Sequence, residues 1–267
     1  MLVDSHCHLD AAEFGDAASQ LAQQAADNDV RWIVVPAVEA ANFSSVKNLA
    51  ANLPNCVYAL GIHPLYVPQA APEDLNRLRE AVQLAMADER FVGVGEIGLD
   101  FFVPELTTDT MREKQTHFYV EQLKIAREFD LPVILHVRRS QDMLLKHLRR
   151  ISVVGGIAHA FNGSEQQAQA FISLGFALGF GGAMTFTRAL QIRRLATQLP
   201  LSAVVLETDA PDISPAWLHP GVNTPAQLPR IAAVLAELRG QPLAEIAAQT
   251  SNNVARVLPR LGNLMMQ

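Results

Sequence analysis

The chain has 267 residues, of which 49% are hydrophobic and 18% are charged, and its formal net charge is −6. These proportions exclude a disordered chain and are typical of a globular protein that buries a substantial core. The acidic balance argues against wrapping of long nucleic acid, but it is compatible with a phosphoester bound at a local cationic site.

The chain contains two cysteines, Cys7 and Cys56. Two cysteines do not make a disulfide framework in a chain of this length, which favours a reducing compartment. The N-terminus lacks the pattern of a signal peptide, and no apolar run approaches the ~20 residues of a membrane helix. We therefore expect a cytoplasmic protein with no membrane partner, and we favour a monomer.

Short apolar runs alternate with longer segments of helical periodicity along the chain. The runs that we predict as strands are 2–6, 32–37, 57–62, 91–97, 133–137, 156–159, 177–181 and 204–208. The predicted helices are 17–29, 41–52, 73–89, 111–130, 140–150, 165–174, 187–198, 225–238 and 243–258.

Eight strands that are each followed by a helix predict parallel strands joined by crossover helices. The count and the length favour an α/β fold of the (β/α)8 TIM-type barrel class, as one domain over residues 1–267. An open doubly wound sheet is the alternative, but the chain shows neither the GxGxxG nor the P-loop spacing of its nucleotide-binding forms.

The first predicted strand ends in a pair of histidines, His6 and His8, on either side of Cys7. Residues i and i+2 of a strand point to the same face, so the two imidazoles are predicted to lie side by side. Cys7 then points to the opposite face, into the core. Such a pair is half of a metal site if other ligands join it, and otherwise it is two surface histidines near a chain end.

Four more metal-type side chains lie at or near the ends of predicted strands: Glu96, His136, His159 and Asp209. In a parallel barrel all strand ends of this kind meet at one rim, where active sites are built. A buried carboxylate needs a partner or a metal. The six residues therefore predict a site for Zn²⁺, Mn²⁺ or Mg²⁺.

Six ligands are too many for one tetrahedral zinc with an open position, and they suit two divalent ions ~3.5–4 Å apart. A carboxylate can bridge two ions through its two oxygens, so Glu96 is the predicted bridge. Asp209 is predicted to bind metal and to orient or deprotonate the attacking water. The predicted ligands are His6, His8, Glu96 and Asp209 for one ion, and Glu96, His136 and His159 for the other.

Two neighbours of these residues are candidates for substrate binding. His63 follows the third strand and could donate to a phosphate oxygen, or it could be a core histidine with a satisfied ring. Arg138 should share the face of His136 and could clamp a phosphate, or it could pair with Glu96 or Asp100. Asp100 itself is either the acceptor for a ligand histidine or a turn residue.

Three further patterns have a structural and a functional interpretation. Asp4 is predicted to support a ligand through hydrogen bonds, and Glu207 is either an additional ligand or a supporting base. Ser164 and Gln167 have the spacing of a capping box at the start of a helix. His117 and His147 lie in predicted helices and are interpreted as helix-surface residues.

Six motifs in this order resemble those of the TatD family of metal-dependent deoxyribonucleases, within the amidohydrolase-like barrels, and most closely its YjjV-type branch. The motifs are VDSHCHLD, GIHP, GEIGLD, LPVILHVR, HAFNGS and ETDAP. The resemblance extends over residues 3–253. It implies a (β/α)8 barrel, two divalent metals and hydrolysis of DNA phosphodiesters. It also implies that His63 and Arg138 contact phosphate and that the metal ligands are His6, His8, Glu96, His136, His159 and Asp209.

The sequence departs from the family pattern at two places. Phe101 and Phe102 stand where tyrosines are often found after GEIGLD, so hydroxyl donors are lost. Val222 stands before Asn223 where the family often has arginine. Together with the acidic charge, these changes argue against tight DNA binding.

The leading hypothesis is a metal-dependent phosphodiesterase that binds DNA at an end, with the 3′ end favoured. The first alternative is a metal-dependent ester or amide hydrolase, such as a D-aminoacyl-tRNA deacylase that removes a misattached amino acid. The second alternative is a metal-binding protein without catalysis, in which protein ligands fill every coordination position.

Overall fold

A computed structural model describes all 267 residues and contains one eight-stranded parallel sheet in the order β1 to β8. Its strands correspond one to one with the eight predicted runs, because each run is apolar and too short to form a helix of ordinary length. The strands are β1 (Leu2–Asp4), β2 (Val30–Pro36), β3 (Cys56–Leu60), β4 (Phe91–Asp100), β5 (Val133–Arg138), β6 (Gly156–Ala158), β7 (Phe176–Phe180) and β8 (Val204–Leu206).

A helix follows each strand, and two more close the chain. The helices are α1 (Ala18–Asp27), α2 (Phe43–Asn52), α3 (Glu73–Ala85), α4 (Asp109–Glu128), α5 (Gln141–Leu148), α6 (Glu165–Ser173), α7 (Leu190–Gln198), α8 (Leu228–Arg239), α9 (Leu243–Val257) and α10 (Pro259–Met265). The last helix, α10, has no counterpart among the predicted helices. Pro259, at its first position, is a residue that helices accept at their start.

Backbone hydrogen bonds join the last strand to the first. The amide of Ser5 donates to the carbonyl of Leu206 at 3.1 Å, and the amide of Asp209 donates to the carbonyl of His6 at 2.8 Å. These bonds close the seam beside β8, so the predicted (β/α)8 TIM-type barrel is confirmed.

The interior of the barrel is filled by small and branched side chains from alternating strand positions, among them Val3, Val57 and Ile134. Val254 of α9 and Leu261 of α10 pack against this layer. The two C-terminal helices therefore cover the amino-terminal end of the barrel and leave the carboxyl-terminal end open.

Polar contacts hold this cover in place. The side-chain amide of Asn253 donates to the carbonyls of Leu201 and Val204, both at 2.7 Å. The guanidinium of Arg260 donates to the carbonyls of Met86 and Asp88. Buried backbone carbonyls at the strand entrances thus receive donors from the last two helices.

The outer apolar layer lies between the sheet and the helices. On α4, Phe118 and Ile125 are buried, and Phe129, which follows the last residue of the helix, is partly buried. The predicted capping box of α6 is confirmed, because Ser164 Oγ accepts from the amide of Gln167 and Gln167 Oε1 accepts from the amide of Ser164. No helix of the structure has both the length and the apolar character needed to span a membrane.

Candidate metal centre

Strand ends bring all six predicted ligands to the carboxyl-terminal mouth of the barrel. The mouth contains a cleft of about 880 Å³ whose floor includes Glu96, His136 and His159. The side chain of Glu96 is 1% exposed and lies between two groups of donor atoms. The convergence predicted from the strand order is therefore present in the structure.

One carboxylate oxygen of Glu96 faces the first group. Its Oε2 lies 3.1 Å from His6 Nε2 and 3.3 Å from His8 Nε2. The two imidazole nitrogens are 3.2 Å apart, and Asp209 Oδ1 lies 3.6 Å from the first and 3.7 Å from the second. Four donor atoms from three separate parts of the chain thus surround one point.

The other oxygen of Glu96 faces the second group. Its Oε1 lies 2.9 Å from His136 Nδ1, 2.9 Å from His159 Nε2 and 3.2 Å from His63 Nε2. The division of one carboxylate between two groups matches the arrangement that the bridging hypothesis requires. His63, predicted as a substrate contact, lies closer to the ligands than its position after β3 indicated.

The strand boundaries differ from the prediction, and the differences near the ligands include the ends of β1, β4 and β8. The first strand ends at Asp4, so His6 and His8 lie just beyond it and do not share a regular strand face. The rings of the two histidines are nearly perpendicular, at 79°. The fourth strand continues through Glu96 to Asp100, because pairing with β5 resumes after a register shift between Val94 and Ile97.

The eighth strand also ends early, at Leu206, and Asp209 follows it with a backbone φ of 55°. A non-glycine residue in this left-handed region is uncommon, and such residues are concentrated at functional sites. Hydrogen bonds hold the segment, since the amide and hydroxyl of Thr208 both donate to the carboxylate of Asp4. Asp4 thus supports the loop of Asp209, and it also accepts from the amide of His6 at 3.3 Å.

A hydrogen bond sets the tautomer of His136. Its Nε2 lies 3.1 Å from Asp100 Oδ2, and the carboxylate can only accept, so the ring proton is on Nε2. Nδ1 is then the acceptor of the ring and lies 3.0 Å from His63 Nε2, and its 2.9 Å separation from Glu96 Oε1 is favourable only with a cation or a proton between the two atoms. Asp100 is both a partner of a candidate ligand and a turn residue, because its other oxygen accepts from the amides of Phe102 and Val103.

A second hydrogen bond sets the tautomer of His63. Its Nδ1 accepts from the amide of Leu65 at 3.1 Å, so a neutral ring has its proton on Nε2. Burial lowers the pKa of His63 to about 4, which keeps the ring neutral. The Nε2–H group therefore lies at the wall of the cleft, 3.2 Å from Glu96 Oε1 and 3.0 Å from His136 Nδ1, and its nitrogen has no lone pair for a cation.

Burial and neighbouring charges shift pKa values in opposite directions within the cluster. Burial acts to raise the pKa of Glu96, but His63, His159 and His6 around it lower that pKa well below its usual range. Burial raises the pKa of Asp209 to about 6. Burial acts to lower the pKa of His8, but Glu96 and Asp209 raise it to about 9.

Glu207 lies behind the cluster and does not face its centre. Its Oε1 accepts from the amide of Ala160 and lies 3.7 Å from His159 Nδ1. Only a glycine fits at position 179, because a Cβ there would lie 2.1 Å from Glu207 Oε2. Because Glu207 contacts His159 from behind the cluster, we interpret it as a support for that histidine and not as an additional metal ligand.

Arg138 lies at the rim and is half-exposed. Its Nη1 is 3.8 Å from Asp100 Oδ2, and its guanidinium carbon is 4.0 Å from the centre of the Phe102 ring. From the sequence, Phe102 is notable only because it lacks the hydroxyl of the tyrosine often found at this position. Its stacking with arginine depends on the path of the loop after β4, for which the sequence contains no periodic signal.

The donor set fits divalent cations. Ligands about 2.1 Å from a tetrahedral cation are about 3.4 Å from one another, and the first group has separations of 3.1–3.7 Å. Nε2 of buried His159 has no hydrogen-bond partner, although it lies 2.9 Å from Glu96 Oε1. An orphaned imidazole nitrogen beside a buried carboxylate is satisfied by a bound cation.

The sequence profile described as TatD related DNase matches residues 3–259. The chain is 43% identical over 253 residues to the metal-dependent hydrolase YjjV of Escherichia coli, covering 94% of this chain and 95% of that protein. The crystal structure of YjjV, titled a TatD homologue, superposes with a TM-score of 0.91 at 41% identity, covering 97% of this chain and 98% of that chain. A Pantoea protein named 3′-5′ ssDNA/RNA exonuclease TatD is 29% identical over 268 residues, covering 97% of this chain and 100% of that protein.

Proposed function

Because the chain belongs to the TatD family of metal-dependent hydrolases, we propose that it hydrolyses DNA phosphodiester bonds from a 3′ end with two divalent cations. One observation carries the proposal: the two oxygens of Glu96 face two separate groups of donor atoms. The name of the Pantoea relative, a 3′-5′ exonuclease, supports the choice of bond and of polarity.

The proposed ligands follow from which atoms face each oxygen of Glu96. Zn²⁺, Mn²⁺ and Mg²⁺ are the candidates for this set of nitrogen and oxygen donors. Two such cations supply Lewis acidity toward a phosphate and lower the pKa of water toward neutrality. The first would be held by His6, His8, Glu96 and Asp209, and the second by Glu96, His136 and His159.

The remaining polar groups have roles that their hydrogen bonds indicate. Asp209 can accept a proton from the attacking water, since its carboxylate lines the cleft and its Oδ1 is 3.6 Å from Nε2 of His6, a proposed ligand. His63 donates its Nε2–H to a phosphate oxygen, because its Nδ1 is already occupied by a backbone amide. Arg138 stands at the rim, where a guanidinium can bind phosphate.

The open cleft above the cluster favours an enzyme over a structural metal site. Structural sites fill every coordination position with protein ligands and have no substrate space. Here a cleft of about 880 Å³ reaches Glu96 and His159 from the surface. The two groups therefore face a volume that a substrate end can enter.

The test measures the metal content of the protein and its turnover of two classes of substrate. We expect elemental analysis to find two divalent ions per chain, and we expect chelation to abolish turnover of a short single-stranded DNA. Glu96→Gln should lower turnover more than ~100-fold, since even partners behind the ligands contribute 10–100-fold. Glu128→Gln is the matched control, because Glu128 pairs with Arg79 on the outer surface.

The same protein is offered a carboxylic ester, which is the substrate class of the alternative hydrolase. Labels at the 5′ or the 3′ end of the DNA report the polarity of trimming. Cleavage of DNA at full rate by metal-free protein would overturn the proposal. Turnover of the ester without turnover of DNA would replace it with the alternative.

A further inference from the structure

The rim beside the metal centre has an aromatic ring in contact with two arginines. Phe102 is 43% exposed, and the guanidinium carbons of Arg138 and Arg139 lie 4.0 and 4.6 Å from its ring centre. We call these three residues the arginine–phenylalanine surface. Next to it, Arg112 lies 4.4 Å from the ring centre of Phe101.

This surface is connected to the metal centre through Asp100. The carboxylate of Asp100 lies 3.1 Å from Nε2 of His136, a proposed ligand, and 3.8 Å from Nη1 of Arg138. The Phe102 ring is thus two side-chain contacts away from the ligand cluster. A chain whose terminal phosphate is in the cleft would cross the surface as it leaves.

The opposite side of the mouth is acidic. Apart from Glu96, Glu207 and Asp209 in and behind the metal centre, four carboxylates line the cleft from the loops after β1, β2 and β8, and they are Asp10, Glu13, Glu39 and Asp212. These three strands are neighbours around the barrel, whereas β4 and β5, which carry the arginine–phenylalanine surface, are on the far side. Arg138 is the one arginine among the lining residues, and lysine is absent from them.

We propose that the arginine–phenylalanine surface binds the single-stranded part of a nucleic acid next to the bond being cut, and that the acidic side stops the strand from continuing across the mouth. The inference rests on the proposed function for the identity of that bond. Exposed aromatic rings stack with bases of any sequence, and arginines track the phosphates. Repulsion from the four carboxylates acts on every phosphate beyond the cut.

The asymmetry of charge accounts for how an acidic protein binds a polyanion. Within the cleft the one arginine and the four carboxylates are on opposite sides, so a strand end can place its phosphate in the cleft and keep its remaining phosphates away from the acidic side. A strand that passes through the mouth would bring phosphates against carboxylates. Trimming from an end is thus favoured over internal cutting.

The first experiment measures binding without turnover. Fluorescence anisotropy follows a 5′-labelled phosphorothioate strand of about 12 nucleotides, a length within the usual range for such surfaces. We expect Phe102→Ala to raise Kd about tenfold, by loss of one stacked base. Arg139→Gln should reduce the slope of log K against log salt by about 0.7.

Arg149→Gln is the matched control, because Arg149 is exposed at the end of α5 and far from the mouth. Thermal unfolding verifies that each variant is folded. Phe102→Ala and Arg139→Gln remove different contacts, so each of them tests the arginine–phenylalanine surface independently. If both bind the strand with the Kd and salt slope of the parent protein, the inference is overturned.

The second experiment compares linear and circular single strands of one sequence. We expect the parent protein to trim the linear strand and to leave the circle intact. Cutting of the circle at a comparable rate would overturn the role of the acidic side. If neither strand is cut but Phe102→Ala still weakens binding, the proposed function fails and the binding surface stands.

Discussion

The hydrogen bond between Asp100 and His136 leads to a prediction with a defined magnitude. Burial acts to raise the pKa of Asp100, but hydrogen bonds from His136, Val103 and Phe102 lower it to about 2. The group is therefore an ionised acceptor at neutral pH. It holds a proton on Nε2 of His136, so that Nδ1, 2.9 Å from Glu96 Oε1, has the lone pair that a cation would bind.

Asp100→Asn keeps the shape of the side chain and replaces one acceptor with a donor. If the amide nitrogen faces His136, the proton must move to Nδ1, which is the atom proposed to bind metal. If the amide flips, its nitrogen meets the backbone donors of Phe102 and Val103 at 2.8 and 3.0 Å. Either orientation sets a donor against a donor.

We expect this change to lower the affinity for one cation by 10–100-fold, which is the range found for partners of metal-bound histidines. That range corresponds to about 1.4–2.7 kcal/mol. The affinity of the other cation should be close to that of the parent protein, because His6 and His8 make no contact with Asp100. Turnover should fall together with occupancy of the weakened position.

Competition with a chelating dye measures both affinities, and elemental analysis after dialysis verifies the stoichiometry. Asp88→Asn is the matched control, because Asp88 accepts from Tyr58 at the other end of the barrel. Parental affinity for both cations together with parental turnover in Asp100→Asn would refute the argument from the tautomer.

Three further predictions test other parts of the molecule. His6→Ala should release one cation and keep the other, since its Nε2 faces Oε2 of Glu96 and not Oε1, and elemental analysis would show about half the metal. Asn253→Ala should lower the free energy of unfolding by about 2 kcal/mol in urea titrations, because two buried carbonyls lose their donor. Burial and a hydrogen bond to Asp88 raise the pKa of Tyr58, so the folded state keeps a proton that the unfolded chain loses near about pH 10. Stability should therefore fall as the pH rises above about 10, and less steeply in Tyr58→Phe; equal slopes would contradict this explanation.

The sequence alone determined the class of fold and the residues that meet at the mouth of the barrel. Apolar runs and helical periodicity are local properties, so eight strands and the helices that follow them could be predicted from neighbouring residues. Parallel strands have all their carboxyl ends at one rim, and from this rule the sequence predicts that Glu96, His136 and Asp209 lie close together. Their roles as ligands stay a prediction.

Only the tertiary structure decided which atoms face one another. Whether Nδ1 or Nε2 of His136 faces Glu96 depends on Asp100, and the proton of His63 depends on the amide of Leu65. Strand ends also depend on partners, since β1 stops at Asp4 where its pairing with β2 ends.

The different charges of the two sides of the mouth could likewise not be predicted from the sequence. Phe102 follows β4, whereas Arg138 and Arg139 lie at the end of β5, and their stacking depends on how two loops pass each other. The acidic side combines loops that follow the first, second and last strands, which become neighbours only when the barrel closes. Periodicity reports the local path of the chain, whereas the charge pattern of a rim depends on closure of the whole sheet.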